Sequence, residues 1–172
     1  MEEFTIYDAY FNPTSKHAKR YEKLAKNEFI PIIHVWIKVK QKGYLIQKRA
    51  KKDDLIPYQW ATLSGLVLKD EIPIDAASRE TFEELGINKS TEHFTLLKKI
   101  KTEKGRYQTV CFVYELNLDS LPPLTLNKDE VSETKTVTLE TIKTLIQRKE
   151  FWDYKKLLDD QDYFELLEKS QS

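Results

Sequence analysis

Three glutamates in the middle of the chain carry the clearest chemical signal. The segment from Ala76 to Leu85 predicts a helix, and at about 100° per residue Glu80, Glu83 and Glu84 share an arc roughly 100° wide. Carboxylates this close repel each other and destabilise a helix by a few tenths of a kcal/mol per pair. A divalent cation reverses that sign, since Mg²⁺ prefers oxygen ligands in an octahedron. The spacing therefore predicts one side of a magnesium site.

The ordinary alternative is a solvated acidic face, which most pairs of glutamates on helices form. The wider pattern argues for a metal site, because fixed residue types continue on both sides of the three glutamates. They are Gly65, Glu71, Arg79, Glu80, Glu83, Glu84 and Gly86. Seven fixed identities at a usage of roughly 7% each match a given window about once in 10⁷ to 10⁸. Chance alone does not explain such a pattern.

These residues resemble the Nudix box, Gly-x5-Glu-x7-Arg-Glu-U-x-Glu-Glu-x-Gly-U, in which U is a bulky aliphatic residue. The box covers residues 65–87, and Ile87 fills its last position. One position departs from the pattern, because Thr81 stands where an aliphatic residue is usual. Threonine is β-branched and lies at the edge of the expected packing face. We therefore expect a change in packing and no loss of chemistry.

The flanking segments extend the resemblance to about residues 29–148. Trp60 precedes the box as in relatives, Gln47-Lys48-Arg49 closes a predicted strand, and Glu130-Val131 looks like a later Glu-Val motif. The resemblance implies an α/β fold, an α/β/α sandwich with a mixed central sheet. It also implies hydrolysis of a diphosphate bond in a small molecule, for which a nucleoside diphosphate linked to a group X is the modal substrate.

The resemblance assigns a role to each residue of the box. The carboxylates of Glu80, Glu83 and Glu84 and the carbonyl of Gly65 are the expected ligands of Mg²⁺ or Mn²⁺. Arg79 is expected to orient the catalytic glutamate. Two further residues, Glu71 and Gly86, are expected to have structural roles.

The general base differs between members of this family. In some members it is the glutamate that matches Glu80. In others it is a glutamate on a later loop, which Glu130 matches best here. Both residues are therefore retained as candidates. Arg49 flanks the expected site and is a candidate for phosphate binding, with a solvated loop as the alternative. Tyr58 is a candidate for stacking on a base or a sugar.

Strands and helices must alternate to hold these residues in place. Runs of β-branched and aromatic residues predict strands at residues 29–39, 44–49, 94–100, 107–118 and 132–137. Apolar periodicity predicts helices at residues 15–27, 76–85, 139–148 and 151–167. Asp75 and Thr138 are expected to cap two of these helices, and Lys104-Gly105 to turn a hairpin. The mixture indicates one α/β domain over residues 1–172, with an N-terminal extension (1–28) and C-terminal helices (139–172).

Composition limits the partners and the compartment. The 28 basic and 28 acidic residues balance, so we expect no nucleic acid partner and no membrane partner. The single cysteine, Cys111, lies in an apolar strand and is expected to be a buried inert thiol in a cytoplasmic protein. A homodimer through the N-terminal segment or Phe151-Trp152 is an open expectation.

Two rival functions share the same scaffold. Isopentenyl-diphosphate isomerase needs a cysteine shortly after the tryptophan, where this chain has Ala61-Thr62-Leu63-Ser64. That enzyme also needs metal-binding histidines, and Ile30 and Leu66 stand where two are expected. A non-catalytic module that binds a nucleotide and regulates a partner commonly loses glutamates of the box, and none is missing here. Both rivals therefore rank below a hydrolase.

Overall fold

The computed structural model describes residues 2–50, 57–104 and 107–169, so Gly105 of the predicted turn lies outside the described residues. The strands are β1 (Glu3–Tyr7), β2 (Pro13–Lys19), β3 (Ile30–Val39), β4 (Gly43–Arg49), β5 (Trp60–Ala61), β6 (Leu63–Leu66), β7 (Phe94–Thr102), β8 (Thr109–Leu118) and β9 (Val131–Val137). The α-helices are α1 (Pro73–Leu85), α2 (Leu139–Gln147), α3 (Tyr154–Leu157) and α4 (Glu165–Lys169). The five predicted strands are confirmed, with small shifts at their ends.

The main sheet is built around β3. One edge of β3 pairs in parallel with β8 along residues 30–39. Its other edge pairs antiparallel with β6 over residues 32–35 and with β4 over residues 37–39. The order is β5-β4-β3-β8-β7, with β6 added to β3 and β9 added to β4. Parallel and antiparallel pairs in one sheet confirm the predicted mixed α/β architecture.

Helices cover both faces of this sheet. Side chains alternate along β3, so Val35 and Ile37 pack in one apolar cluster with Ala77 of α1. Trp36 packs in a second cluster with Ile142 of α2 and with the aromatic residues of the C-terminal segment. The sheet therefore lies between α1 on one face and the C-terminal helices on the other.

The predicted helix over residues 15–27 is wrong. Residues 13–19 form β2 instead, which pairs antiparallel with β1. The helical stripe was weak, and the backbone hydrogen bonds offered by β1 outweigh it. The hairpin also contacts the box: Lys69 N donates to Glu3 O at 2.9 Å, and Asp70 N donates to Thr5 Oγ1 at 3.0 Å.

The C-terminal segment is less helical than its amphipathic pattern predicted. Within residues 151–169, only α3 and α4 are helical, and turns lie between them. Asp153 caps α3 by accepting a hydrogen bond from Lys155 N. Phe151 is buried in the chain's own core, so it offers no surface to a second copy. Within the described ranges, no helix has the length and apolar character needed to cross a membrane.

Candidate active site

The helix that carries the three glutamates has well-defined ends. Ile72 is the N-cap residue, and Pro73 suits the first helical turn, where its missing N–H would be unpaired anyway. Asp75 lies in the first turn, so its predicted role as the cap is wrong, although its charge favours the helix dipole. The end was predicted correctly: Gly86 adopts a φ of 72° and donates to Phe82 O at 2.8 Å.

The division of α1 into a packing face and a carboxylate face is wrong. Glu84 is only 4% exposed and lies among the residues buried against the sheet. Phe82 is 55% exposed, although its large apolar side chain and its place opposite the glutamates favour the packing face. Thr81 is fully buried and donates to Ala77 O at 2.7 Å, so its hydroxyl is satisfied inside the helix. The unusual threonine of the box therefore needs no partner from the sheet.

Arg79 organises the acidic cluster. Its Nε and Nη2 donate to the two oxygens of Glu71 at 2.8 and 3.0 Å. Its Nη1 donates to Glu80 Oε1 at 3.0 Å and to Glu83 Oε2 at 3.1 Å, and Nη2 also donates to Leu66 O at 2.9 Å. One guanidinium thus joins the loop of the box to two of its three helical carboxylates, as planar donor geometry allows.

Glu71 ties the loop of the box to its helix. Its Oε1 accepts a hydrogen bond from Leu68 N at 3.1 Å, in addition to the bonds from Arg79. Val67 N donates to Pro31 O at 3.0 Å, which fixes the start of the loop to β3. This arrangement agrees with the supporting role that the resemblance implied for Glu71.

Gly65 lies directly against Glu80. A methyl group at Gly65 would stand 2.5 Å from both Cγ and Cδ of Glu80, which is closer than side chains tolerate. Gly65 pairs with Ile33 in the ladder between β6 and β3, so its backbone cannot easily retreat. An alanine at Gly65 would therefore force the Glu80 side chain out of its present position.

The remaining helical carboxylate has a partner that the sequence did not reveal. Gln47 of β4 donates from Nε2 to Glu84 Oε2 at 2.8 Å, and both side chains are buried. The side chain of Gln47 lies on the same face of β4 as that of the core residue Leu45. The sequence did contain one signal of this contact, because a polar residue stands at a core-facing position of an apolar strand.

A second loop brings Glu130 to the same region. Asn127 N donates to Glu84 O at 2.9 Å, and Ala50 N donates to Glu130 O at 3.1 Å. The loop before β9 therefore joins the end of α1 to the end of β4. The charges of Arg49 and Glu130 both act on Glu84, where Arg49 lowers the pKa and Glu130 raises it.

Two of the carboxyl groups have strongly raised pKa values. Burial raises the pKa of Glu80 to about 7, with the Arg79 guanidinium opposing part of the rise. Burial raises the pKa of Glu84 to about 8, against the hydrogen bond from Gln47. Loss of hydration disfavours the charged form of each group. Burial therefore outweighs the nearby positive charges of Arg79 and Arg49 at these two carboxyl groups.

The two predicted substrate-binding residues lie in different environments. Arg49 is 9% exposed, and its Cζ lies 5.3 Å from the ring centre of Trp152. Tyr58 is 49% exposed and has a φ of 59°. Trp60 is buried, and Lys135 Nζ lies 4.2 Å from its ring centre, which agrees with its expected packing role. Trp152 was missed as a neighbour of Arg49, because nothing in the sequence signals the contact.

His34 and Cys111 have structural environments. Tyr163 Oη accepts a hydrogen bond from Trp36 Nε1 at 2.9 Å and lies 2.7 Å from His34 Nδ1. Burial lowers the pKa of His34 to about 3, so its ring is neutral, and Nδ1 shares one hydrogen bond with the Tyr163 hydroxyl. Burial raises the pKa of the Cys111 thiol, as expected for an inert core cysteine.

A family model of the NUDIX domain matches residues 29–160. This chain belongs to the Nudix hydrolase family. An uncharacterized Nudix hydrolase of Listeria monocytogenes is 34% identical over 155 residues, which cover 90% of each protein. The chain is therefore an enzyme of the class of hydrolases that act on pyrophosphate bonds.

Solved Nudix structures share the fold. DR0079 from Deinococcus radiodurans superposes with a TM-score of 0.70 at 19% identity, covering 87% of this chain and 91% of that one. The NUDIX domain of Shewanella oneidensis NrtR, solved in complex with ADP ribose, gives a TM-score of 0.65 at 14% identity, covering 89% of this chain and 95% of that one. At such identities the likeness shows the fold alone.

The chemistry of the Nudix box suits a hard divalent cation. Within residues 2–50, 57–104 and 107–169, no three His, Cys, Asp or Glu side chains form a group that could hold a metal ion. Arg79 and Gln47 donate hydrogen bonds to oxygens of the three helical glutamates. Those glutamates and the Gly65 carbonyl supply only oxygen donors, the type that Mg²⁺ and Mn²⁺ prefer. The donor set therefore fits the group that the family implies.

Proposed function

We propose that this Nudix hydrolase uses Mg²⁺ or Mn²⁺ to hydrolyse the diphosphate bond of a small molecule, a nucleoside diphosphate linked to a second group. The single observation that carries the proposal is the acidic cluster of the box. Arg79 contacts Glu71 in the loop and Glu80 and Glu83 on the helix. Glu84 is buried on the same helix as Glu80 and Glu83. A solvated acidic face would neither bury two carboxyls nor share one arginine among three.

The three helical glutamates and the Gly65 carbonyl would hold the metal. A bound divalent cation neutralises charge on the phosphate oxygens and lowers the pKa of a bound water. Arg79 fixes Glu80 and Glu83 from one side, while Gln47 fixes Glu84 from the other. The chain thus supplies orientation and electrostatics, which are the main needs of phosphoryl transfer.

A carboxylate must take the proton of the attacking water, and two candidates remain. Glu80 lies in the cluster beside Arg79, and in the metal-free chain burial raises its pKa to about 7. Glu130 is half-buried on the loop that also binds the backbone of α1. We propose both, since Glu80 belongs to the expected metal ligands and the loop of Glu130 binds the backbone of Glu84.

Arg49 and Tyr58 are the proposed contacts to substrate. The charge of the Arg49 guanidinium acts on Glu84, and a guanidinium can donate paired hydrogen bonds to a phosphate group. Tyr58 leaves half of its side chain exposed, as a stacking residue for a base or sugar requires. ADP ribose is the ligand in the complex of the Shewanella protein, so ADP-ribose is one of the compounds to test on this chain.

The test is hydrolysis of a panel of diphosphate compounds by the purified chain. ADP-ribose, nucleotide sugars, dinucleoside polyphosphates and prenyl diphosphates are each incubated with Mg²⁺, Mn²⁺ or EDTA. A coupled phosphatase converts monoester products to measurable phosphate. Metal-dependent release from the nucleoside diphosphate compounds supports the proposal. A folded, metal-bound protein that releases phosphate from none of them would point to a binding or regulatory module instead.

Assembly and location are further proposals. A homodimer would have to use surfaces other than Phe151, such as the N-terminal segment, where Tyr10 and Tyr21 are exposed. Light scattering of the purified protein measures its mass directly and decides between monomer and dimer. A cytoplasmic location follows from the single buried cysteine, and cell fractionation checks it.

A further inference from the structure

Gln47 is a polar residue in a place where the fold otherwise buries apolar ones. Its side chain is 2% exposed, and it is two positions along β4 from the core residue Leu45. Its Nε2 donates to Glu84 Oε2 at 2.8 Å. A buried amide must be hydrogen-bonded to offset the cost of losing water. The bond to Glu84 meets that need for one of its N–H groups.

The backbone of Gln47 is fixed from both sides. It pairs with Ala61 of β5 on one edge and with Thr134 of β9 on the other. A side chain anchored in the interior of a sheet has little freedom to move. The Gln47 amide that donates to Glu84 is therefore itself fixed in position by the sheet.

The chemical type of the donor matters as much as its position. A glutamine amide donates a hydrogen bond but carries no charge. A lysine at this position would neutralise Glu84 and compete with a cation, and a glutamate would repel it. The amide orients the carboxylate and leaves its negative charge available.

We propose that Gln47 is a positioning residue for the metal site, whose amide holds the Glu84 carboxylate in the orientation that binds Mg²⁺. The inference rests on the proposed function, because it takes Glu84 as a metal ligand. Hydrogen-bond partners of metal ligands typically change metal affinity 10- to 100-fold when they are removed. A purely structural Gln47 would change stability and leave metal affinity unaltered.

The experiment compares Gln47→Met with a matched control, Gln108→Met. Methionine keeps the length of the side chain and removes the donor. Gln108 also donates two hydrogen bonds, to Ala25 O and Glu28 O, but it lies away from the box. Binding of Mn²⁺ alone is measured for each protein by electron paramagnetic resonance of the free ion at fixed pH. The thermal midpoint in EDTA and the Mg²⁺ dependence of the rate are measured in parallel.

We expect Gln47→Met to weaken Mn²⁺ binding about 10- to 100-fold and to raise the half-saturating Mg²⁺ concentration by the same factor. The rate at saturating Mg²⁺ should stay within about 3-fold of the unaltered chain, and Gln108→Met should bind Mn²⁺ normally. Gln47→Asn keeps the amide on a shorter side chain, so its Mn²⁺ affinity should lie between those of Gln47→Met and Gln108→Met. It also serves as the test if Gln47→Met does not fold.

The outcomes separate this inference from the function on which it rests. Normal Mn²⁺ binding by a folded Gln47→Met or Gln47→Asn overturns the role of Gln47, while hydrolysis by the unaltered chain keeps the proposed function intact. Equal weakening in Gln47→Met and Gln108→Met also overturns it, since the effect would then be one of general stability. An unaltered chain that binds no Mn²⁺ overturns both.

Discussion

Arg79 and Glu71 form a two-pronged ion pair, with Nε and Nη2 donating to the two carboxylate oxygens at 2.8 and 3.0 Å. The pair lies between the loop and the helix of the box, and both side chains are mostly buried. Because the remaining nitrogen of the same guanidinium reaches Glu80 and Glu83, one residue sets the positions of several others.

Replacing Arg79 with lysine should keep the charge and lose this geometry. A single ammonium cannot donate to Glu71 in the planar, paired manner while also reaching Glu80. We expect kcat to fall about 100-fold, as for a small misplacement of catalytic groups, and the free energy of unfolding to fall by about 1–3 kcal/mol. Steady-state kinetics and urea denaturation measure the two effects. Arg148→Lys, at an exposed arginine, is the control and should change neither.

Glu84→Gln should separate catalysis from stability. The substitution keeps the size of the side chain and removes a negative charge that burial disfavours. We expect a loss of activity of at least about 100-fold with Mg²⁺ and little loss of stability. Glu92→Gln, at an exposed glutamate, should remain active. An active Glu84→Gln variant would count strongly against the metal assignment.

The metal-free protein should lose stability as pH rises. Glu80 and Glu84 ionise in the folded chain near pH 7 and 8, but near 4.5 when unfolded, so the folded state binds more protons between these values. The free energy of unfolding therefore falls as pH rises from about 5 to 8, and saturating Mg²⁺ should reverse the trend at the upper end. Denaturation at several pH values, with EDTA or Mg²⁺, measures both slopes. A Glu84→Gln chain should show a shallower fall in EDTA, and an equal slope would contradict this account.

Gly86→Ala should destabilise the end of α1. Gly86 has a φ of 72°, and an added methyl group would lie 2.9 Å from Thr125 Cβ. The left-handed conformation alone costs a non-glycine residue about 1–2 kcal/mol. We expect the thermal midpoint to fall by several degrees, about 2–4 °C for each kcal/mol in a domain of this size. Asparagine tolerates this backbone conformation better, so Gly86→Asn should lower the thermal midpoint less if the backbone cost dominates. An equal decrease of the midpoint would assign the cost to the contact with Thr125.

Thr5→Val tests whether the N-terminal hairpin supports the box. Valine matches the shape of threonine but cannot accept the hydrogen bond from Asp70 N. We expect a loss of about 1 kcal/mol in the free energy of unfolding and faster amide exchange over residues 67–71. Hydrogen exchange followed by mass spectrometry measures the second effect. Thr91→Val, outside the hairpin, is the control, and unchanged exchange in Thr5→Val would show that the loop stands without this bond.

The sequence was most informative where one local pattern decides the structure. Thr138 caps α2 through a hydrogen bond from Thr141 N, and Gly86 ends α1, because caps depend on a few neighbouring residues. The cluster of the box was also predictable, since a helix brings Glu80, Glu83 and Glu84 together by its period alone.

Long-range contacts account for what the sequence did not show. Residues 13–19 form a strand because β1 is available to pair with it, and nothing within the segment announces that partner. Gln47 reaches Glu84, and Arg49 reaches Trp152, only because the sheet brings distant segments together. The exposure of Phe82 has the same origin, since the way α1 is turned on the sheet decides which side chains are buried.

The parallel pairing of β3 with β8 also fixes the order in which the protein can assemble. β3 ends at residue 39, whereas β8 ends at residue 118, and the segment that bears the glutamates is synthesised between them. Translation at roughly 5–20 residues per second leaves this segment for several seconds without the strand that pairs with one edge of β3. A hairpin can close on its own, but a parallel pair must wait for the later strand. The sheet on which the acidic helix packs is therefore incomplete until β8 has been synthesised.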